Sequence, residues 1–218
     1  MRRDDGPDGA TGFGDDFWRA NYGEPDQMDG VVNADAHAAY VKSAFDVALQ
    51  PVRSIADLGF GLGHVFERVL RVLRPYKAYG LEPSTPAYEA VRFRLVPPEG
   101  TKLVLEQVDL RSWCRRPDHP KLRFDLGLCT SVLQYLPDRE AARAITALAQ
   151  LSRGLLYFSV LTAGDWKHNA DTSRTDRGVH LRTADWYRRR LRRHFRHLGF
   201  GVHALRTHEP LLWELETP

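Results

Sequence analysis

Three alternating glycines follow an acidic residue in the segment Asp57-Leu58-Gly59-Phe60-Gly61-Leu62-Gly63. The segment lies between a short apolar run at 53–58 and a stretch at 66–73 whose apolar residues repeat at helical spacing. Glycine has no Cβ, so it allows a tight turn and lets a ligand approach the main chain. This arrangement predicts a strand, a ligand-binding loop and a helix, in that order.

Strand-like and helix-like patterns alternate over most of the chain, beginning with an amphipathic helix from Asp35 that Pro51 closes. The predicted strands are 53–58, 77–81, 103–108, 124–130 and 155–161, and the helices between them are 66–73, 88–95 and 138–152. Such alternation is typical of a parallel sheet with helices on both faces.

The C-terminal part departs from this alternation. A helix is predicted over 183–198, and two extended runs follow at 201–208 and 211–215, separated only by Glu209 and Pro210. So short a connection can join only antiparallel strands. The predicted fold is therefore α/β, with a doubly wound, mostly parallel seven-stranded sheet that ends in an antiparallel hairpin.

Composition narrows the class of protein further. A chain of 218 residues with 43% hydrophobic and 27% charged residues is expected to form one globular domain over 1–218, with 1–12 as a disordered arm. No run approaches the ~18 apolar residues of a membrane helix, and Cys114 and Cys129 have no metal-ligand spacing. We expect a cytoplasmic protein without a metal. The net charge of +3 indicates neither a membrane nor a nucleic acid as partner.

A second carboxylate follows the glycines at the end of the next predicted strand, in Gly80-Leu81-Glu82-Pro83. A βαβ unit delivers a carboxylate to the ribose hydroxyls of a nucleotide about 20 residues after its glycine loop. The spacing GxGxxG of dinucleotide dehydrogenases would need glycine at position 64, which is His64. The pattern therefore favours a nucleoside ligand of another class.

The pattern acid-x-Gly-x-Gly-x-Gly resembles motif I of the class I S-adenosylmethionine-dependent methyltransferases. Glu82, Asp109 and the segment 129–138 follow in the order and spacing of that family. The resemblance implies S-adenosylmethionine as cofactor and S-adenosylhomocysteine as product, with Glu82 on the ribose and Asp109 and Leu110 on the adenine. The cofactor-binding residues it implies are Asp57, Gly59, Phe60, Gly61, Gly63, Glu82, Pro83, Asp109, Leu110, Thr130, Ser131 and Val132, with Tyr22 from an N-terminal lid.

The N-terminal segment 13–51 is expected to form this helical lid, in which Arg19 and Tyr22 could cover the cofactor and Phe17 and Trp18 could equally be core residues. A long polar loop at 162–182 follows the carboxyl end of a predicted parallel strand, where open α/β sheets bind ligands. We predict that this loop covers the acceptor. His168 or His180 could act as the general base, although a single loop histidine is more often a surface residue.

Position 135, where relatives often carry histidine, is Tyr135, which becomes the third candidate for the base. The favoured function is methyl transfer to an oxygen or nitrogen of a small molecule. Two alternatives stay open: an RNA methyltransferase that uses the arginine-rich run at 188–197, and a non-catalytic module that binds S-adenosylmethionine.

Overall fold

The computed structural model describes residues 13–22, 29–116, 123–172, 175 and 178–208. The predicted arm at 1–12 and the predicted strand at 211–215 lie outside these ranges. The elements, in chain order, are α1 Asp15–Tyr22, α2 Ala34–Val47, β1 Ser54–Leu58, α3 His64–Leu73, β2 Lys77–Leu81, α4 Thr85–Arg94, β3 Lys102–Glu106, α5 Leu110–Trp113, β4 Phe124–Thr130, a 3-10 turn Leu133–Tyr135, α6 Asp138–Leu151, β5 Ser152–Ser159, α7 Ala163–His168, α8 Ala184–Leu191, β6 Phe195–Gly199 and β7 Val202–Leu205.

The seven strands form one sheet in the order β3-β2-β1-β4-β5-β7-β6. Strands β1 to β5 are parallel, and β7 lies antiparallel between β5 and β6. The predicted fold class is confirmed. Strand order reverses between β1 and β4, and open α/β sheets bind their ligands at such a switch point.

Alternate residues of the central strands face two separate cores, as the two-residue period of a strand requires. One face carries Ile55, Leu128 and Tyr157, which pack with residues of α2 and α3. The other face carries Leu58 and Cys129 with residues of α5, α6 and α8. Burial on both faces explains why these strands read as nearly continuous apolar runs.

The predicted helix at 183–198 is wrong in its second half. The helix α8 ends at Leu191, and Phe195–Gly199 forms β6, the outer strand of the hairpin. The two residues that join β6 to β7 are Phe200 and Gly201, both with positive φ (39° and 83°), as in a tight hairpin turn. A Cβ on Gly201 would lie 2.8 Å from the carbonyl oxygen of Phe158, so this turn requires glycine.

The hairpin therefore begins earlier than the predicted pair 201–208 and 211–215. The apolar residues Phe195 and Leu198 fit a continued helix by spacing alone, but pairing with β7 decides their conformation. The strands β3 and β5 also begin and end earlier than predicted.

The loop at 162–182 contains a short helix that was not predicted. Thr162 caps α7, because its hydroxyl accepts a hydrogen bond from the Asp165 amide at 3.2 Å and the Asp165 carboxylate accepts one from the Thr162 amide at 3.2 Å. This reciprocal pair is a capping box, and it stabilises a helix start without any apolar periodicity.

Candidate functional site

A cavity of about 170 Å³ lies at the carboxyl ends of the parallel strands, on the side where the strand order reverses. Twelve of the thirteen residues predicted to bind the cofactor line it: Asp57, Gly59, Phe60, Gly61, Gly63, Glu82, Pro83, Asp109, Leu110, Thr130, Ser131 and Val132. The side chain of the thirteenth, Tyr22, lies outside the described residues. The structure thus brings together residues that come from four separate strand ends.

The glycine loop between β1 and α3 needs glycine for two reasons. Gly59, Gly61 and Gly63 have φ values of 104°, 53° and 74°, in the region that side-chain-bearing residues rarely adopt. In addition, a Cβ at Gly59 would lie 2.5 Å from Val132, and a Cβ at Gly63 would lie 2.7 Å from Val91. The main chain of this loop is therefore open to the cavity.

Glu82 follows β2 and is 5% exposed. Its carboxylate accepts a hydrogen bond from the Gly61 amide at 2.8 Å and another from the Ser84 amide at 3.0 Å. Burial raises the pKa of Glu82 to about 7, and the two backbone hydrogen bonds oppose this shift. An ionised carboxylate offers about four acceptor positions, so this group can accept further hydrogen bonds from a ligand.

Asp57, the acidic residue of β1, is 3% exposed and faces the same cavity. Among the described residues, its Oδ1 atom has no hydrogen-bond partner. Burial, with the nearby charge of Glu82, raises the pKa of Asp57 well above its ordinary value. A buried acceptor without a partner costs free energy, which a ligand with a hydrogen-bond donor could recover.

Asp109 and Leu110 stand at the start of α5, beyond the end of β3. The Asp109 side chain caps this helix by accepting a hydrogen bond from the Ser112 amide at 2.9 Å, and Leu110 is buried. Asp109 therefore has a structural role as a helix cap, and it also lines the cavity.

Thr130, Ser131 and Val132 leave the end of β4 and close the cavity opposite the glycine loop. Ser131 has a φ of 57°, and its amide donates a hydrogen bond to the Ser159 carbonyl at the end of β5 at 3.0 Å. A left-handed residue that is not glycine indicates local strain, and such strain is concentrated at functional sites.

The N-terminal helix α1 lies over the glycine loop. The Trp18 ring approaches the Cβ position of Gly61 to 3.4 Å, and its Nε1–H donates a hydrogen bond to the Ser84 hydroxyl at 2.6 Å. Ser84 in turn donates to the Phe13 carbonyl at 2.6 Å. These contacts join α1 to the segment that carries Glu82.

Of the three predicted catalytic residues, only Tyr135 lines the cavity. Its ring packs edge-on against Phe13 at 4.9 Å between centroids, and also contacts Phe17 of α1. His168 and His180 are exposed and do not belong to the cavity wall. The His180 amide donates a hydrogen bond to the Gln134 carbonyl at 2.7 Å, so the loop is joined to the segment of Tyr135 through its backbone.

A buried guanidinium, that of Arg182, joins the loop at 162–182 to the same segment. It donates hydrogen bonds to Asp138 Oδ1 at 2.7 Å, the Leu133 carbonyl at 3.0 Å, the Tyr187 hydroxyl at 2.9 Å and the Leu136 carbonyl. Its side chain is 4% exposed. Arg182 therefore holds both ends of the turn that carries Tyr135.

The polar residues Asp29, His37 and His64 also line the cavity and were not predicted. His64 begins α3, where burial and the charges of Arg94 and Arg68 lower its pKa. Asp29 and His37 lie in the predicted lid, where the local sequence predicts the start of a helix but no binding site. A histidine one turn into a helix, preceded by an acid, is too common a pattern to indicate a site.

No protein-family model and no curated protein sequence matches the chain. Solved structures do match. The chain is similar to a magnesium protoporphyrin IX methyltransferase (ChlM) from Synechocystis PCC 6803 with bound S-adenosylhomocysteine, with 18% identity, 87% of this chain and 90% of that chain covered, and a TM-score of 0.56.

Two further similar structures are the plantazolicin methyltransferase BpumL in complex with a monoazolic desmethylPZN analog and S-adenosylhomocysteine, and an O-methyltransferase family protein from Burkholderia thailandensis. The first has 13% identity over 81% of this chain and 68% of that chain, with a TM-score of 0.61. The second has 17% identity over 86% of this chain and 63% of that chain, with a TM-score of 0.54.

The chain has the fold of the class I S-adenosylmethionine-dependent methyltransferases. The resemblance drawn from the glycine motif is confirmed at the level of the fold. Within the described residues, no helix has the length and apolar character needed to cross a membrane.

Proposed function

We propose that this protein is a methyltransferase that uses S-adenosylmethionine to methylate an oxygen or nitrogen of a small-molecule acceptor. The observation that carries the proposal is the meeting of Asp57, the glycine loop, Glu82 and Asp109 around one cavity. Similar structures crystallised with S-adenosylhomocysteine support the choice of cofactor.

The residues present fit this cofactor in charge and shape. Asp57 offers an unpaired buried oxygen for its ammonium group, and Glu82 has acceptor capacity left for the two ribose hydroxyls. Asp109 can accept from the adenine amine with the oxygen that does not cap α5, while Leu110 packs against the ring. The glycine loop lines the same cavity, and its lack of side chains lets the rest of the molecule approach the main chain.

When bound, S-adenosylmethionine supplies a methyl group on a cationic sulfur that is already a good leaving group. The protein then has three tasks: to align the acceptor, to exclude water and to receive a proton where the acceptor is a hydroxyl. Trp18 and the aromatic group around Tyr135 cover the cavity. Tyr135 is the candidate closest to the cavity for contact with the acceptor, while His168 and His180 would need the loop at 162–182 to move.

Calorimetry with S-adenosylhomocysteine tests the cofactor, with NAD as the comparison. We expect the former to bind and the latter not to bind. Binding of NAD without binding of S-adenosylhomocysteine would indicate a dehydrogenase and contradict the proposal.

A second experiment distinguishes the two alternatives, an RNA methyltransferase and a non-catalytic binding module. In it, transfer of a labelled methyl group is measured with small acceptors and with RNA. Salt-sensitive binding and methylation of RNA would favour the arginine-rich helix α8 as a binding surface. Binding of the cofactor without product from any acceptor would favour the non-catalytic module. The proposed location is the cytoplasm, and Cys114 and Cys129, both free and buried, are compatible with it.

A further inference from the structure

A chain of three hydrogen-bonded side chains, Asp29, His37 and Tyr157, lies at the wall of the cavity. His37 Nε2 lies 3.1 Å from Asp29 Oδ1, and His37 Nδ1 is hydrogen-bonded to the Tyr157 hydroxyl. Asp29 and His37 line the cavity, while Tyr157 is buried in β5 beneath them. None of the predicted cofactor residues takes part in this chain.

The direction of the hydrogen bonds follows from the two ends of the chain. Burial raises the pKa of Tyr157 to about 12, so the phenol keeps its proton and donates it to Nδ1 of His37. In the tautomer that accepts this bond, His37 donates from Nε2 to Asp29. Asn33 donates a second hydrogen bond to Asp29 Oδ1 at 2.7 Å.

These donors hold one oxygen of Asp29 in place and keep the group ionised. The hydrogen bonds from His37, Asn33 and the Gly30 backbone lower the pKa of Asp29, against the effect of burial. The side chain of Asp29 is 73% exposed, so a ligand can reach it without displacing the protein. Asp29 is thus an oriented anion at the wall of the cavity.

Strand register places Tyr157, the buried end of this hydrogen-bonded chain, toward the β5 side of the sheet. Asp57, Leu128 and Tyr157 occupy paired positions on β1, β4 and β5, and they share the sheet face that packs on α2 and α3. Neighbouring strands are about 4.8 Å apart, so Tyr157 lies about 10 Å from Asp57, toward the β5 side of the sheet. The proposed cofactor residues Asp57, Glu82 and Asp109 instead follow β1, β2 and β3.

The cavity wall carries one carboxylate more than the cofactor is proposed to contact. Four carboxylates line it, those of Asp29, Asp57, Glu82 and Asp109, while the guanidinium on the wall, that of Arg111, is paired with Glu140. Asp57, Glu82 and Asp109 each have a proposed partner on the cofactor. Asp29 does not.

We propose that Asp29, positioned by His37 and Tyr157, binds an ammonium group of the acceptor, so that the substrate is an amine-bearing small molecule. This inference rests on the proposed methyltransferase function and names its substrate class. The ammonium of the cofactor itself has the same chemistry, and the experiment below distinguishes the two sources.

Probes built on the cofactor test this without knowledge of the acceptor. In these compounds nitrogen replaces the sulfur of S-adenosylhomocysteine and carries a third arm that projects where the methyl group would be. One series has aminoethyl, aminopropyl and aminobutyl arms, and the matched series has uncharged alkyl arms of equal length. Calorimetry measures both series against the wild-type protein, Asp29→Asn and Asp35→Asn.

We expect at least one amine arm to bind the wild type about tenfold more tightly than its alkyl match, because a charge-assisted hydrogen bond is formed. Asp29→Asn should abolish this preference and leave the affinity for S-adenosylhomocysteine unchanged. Asp35→Asn should keep the preference, because Asp35 lies nearby in α2 but pairs with Arg68 outside the cavity. Tyr157→Phe, which removes the donor to His37, should reduce the preference without abolishing it.

Three outcomes would overturn the inference. The first is that no amine arm is preferred by the wild type, and the second is that the preference survives Asp29→Asn. The third is that Asp29→Asn weakens the binding of S-adenosylhomocysteine itself, which would assign Asp29 to the cofactor site. If neither series nor S-adenosylhomocysteine binds the wild type, the proposed function fails instead.

Discussion

The carboxylate of Glu82 accepts a hydrogen bond from the Gly61 amide at 2.8 Å, and this bond joins the end of β2 to the glycine loop after β1. The two parts of the predicted cofactor site are therefore one connected unit before any ligand binds. A change in either residue should affect the other, and the first two predictions follow from this bond.

Gly61→Val is expected to abolish binding of S-adenosylhomocysteine while the protein stays folded. Gly61 has a φ of 53°, and a side chain there would enter the space between the loop and Trp18. Calorimetry measures the affinity, and circular dichroism checks the fold. Gly14→Ala is the control, since a Cβ at Gly14 meets nothing within 4 Å; a folded Gly61→Val variant with wild-type affinity would remove the loop from the site.

Glu82→Gln is expected to change how stability depends on pH. The pKa of Glu82 rises from 4.5 in the unfolded chain to about 7 in the folded protein, so the folded state binds the proton more tightly. This contribution to stability is present below pH 4.5 and is lost as the pH rises through 7, by about 1–3 kcal/mol. The free energy of unfolding should therefore fall less between pH 5 and 8 in Glu82→Gln than in the wild type.

Urea denaturation at several pH values measures this difference, with Glu89→Gln on the surface of α4 as the control. The pKa of His203, lowered to about 4 by burial, acts in the opposite direction in both proteins and cancels in the comparison. Parallel pH profiles for the wild type and Glu82→Gln would contradict the raised pKa of Glu82.

Glu82→Gln should also bind S-adenosylhomocysteine about tenfold or more weakly than the wild type.

Arg182→Met is expected to lower the free energy of unfolding by about 2–4 kcal/mol, because it removes the guanidinium hydrogen bonds to the carbonyls of Leu133 and Leu136 and to the Tyr187 hydroxyl. Arg188→Met is the matched control on α8. The Arg188 pair with Asp185 is exposed and should contribute less than about 1 kcal/mol. Equal stability of the two variants in urea would mean that the Arg182 network does not stabilise the fold.

Replacing His168 or His180 with alanine should leave the affinity for S-adenosylhomocysteine nearly unchanged, since both residues lie outside the cavity wall. If one of them is the general base, its loss should slow turnover by roughly 10², measured as product formed from an identified acceptor. Tyr135→Phe is the parallel test inside the cavity. Wild-type rates in both histidine variants and in the double variant would make them surface residues and leave Tyr135 as the candidate.

The strands and the glycine loop could be predicted because their signals are local. β2 and β4 are short apolar runs with clear ends, and the alternating glycines around Gly61 are specific to a tight loop between a strand and a helix. The segment beyond Leu191 could not be assigned in this way, because Phe195 and Leu198 have the spacing of a continued helix and only pairing with β7 makes the segment extended.

The proposed acceptor-binding group of Asp29, His37 and Tyr157 was missed for a related reason. His37 and Tyr157 are 120 residues apart in sequence, and only the packing of α2 on the sheet brings them together. Nothing near either residue indicates the other. Contacts of this kind follow from the complete fold, whereas the predicted cofactor residues follow from each strand end separately.

The position of β7 determines how the edge of the sheet at β5 is covered. Every strand whose end carries a predicted cofactor residue lies within the first four strands, and β5 remains an open edge until β7 adds to it. An exposed edge of unpaired amides and carbonyls invites pairing with another chain. The hairpin, which carries none of the predicted cofactor residues, moves that edge away from β5, so the outer strands of the described sheet are β6 and β3.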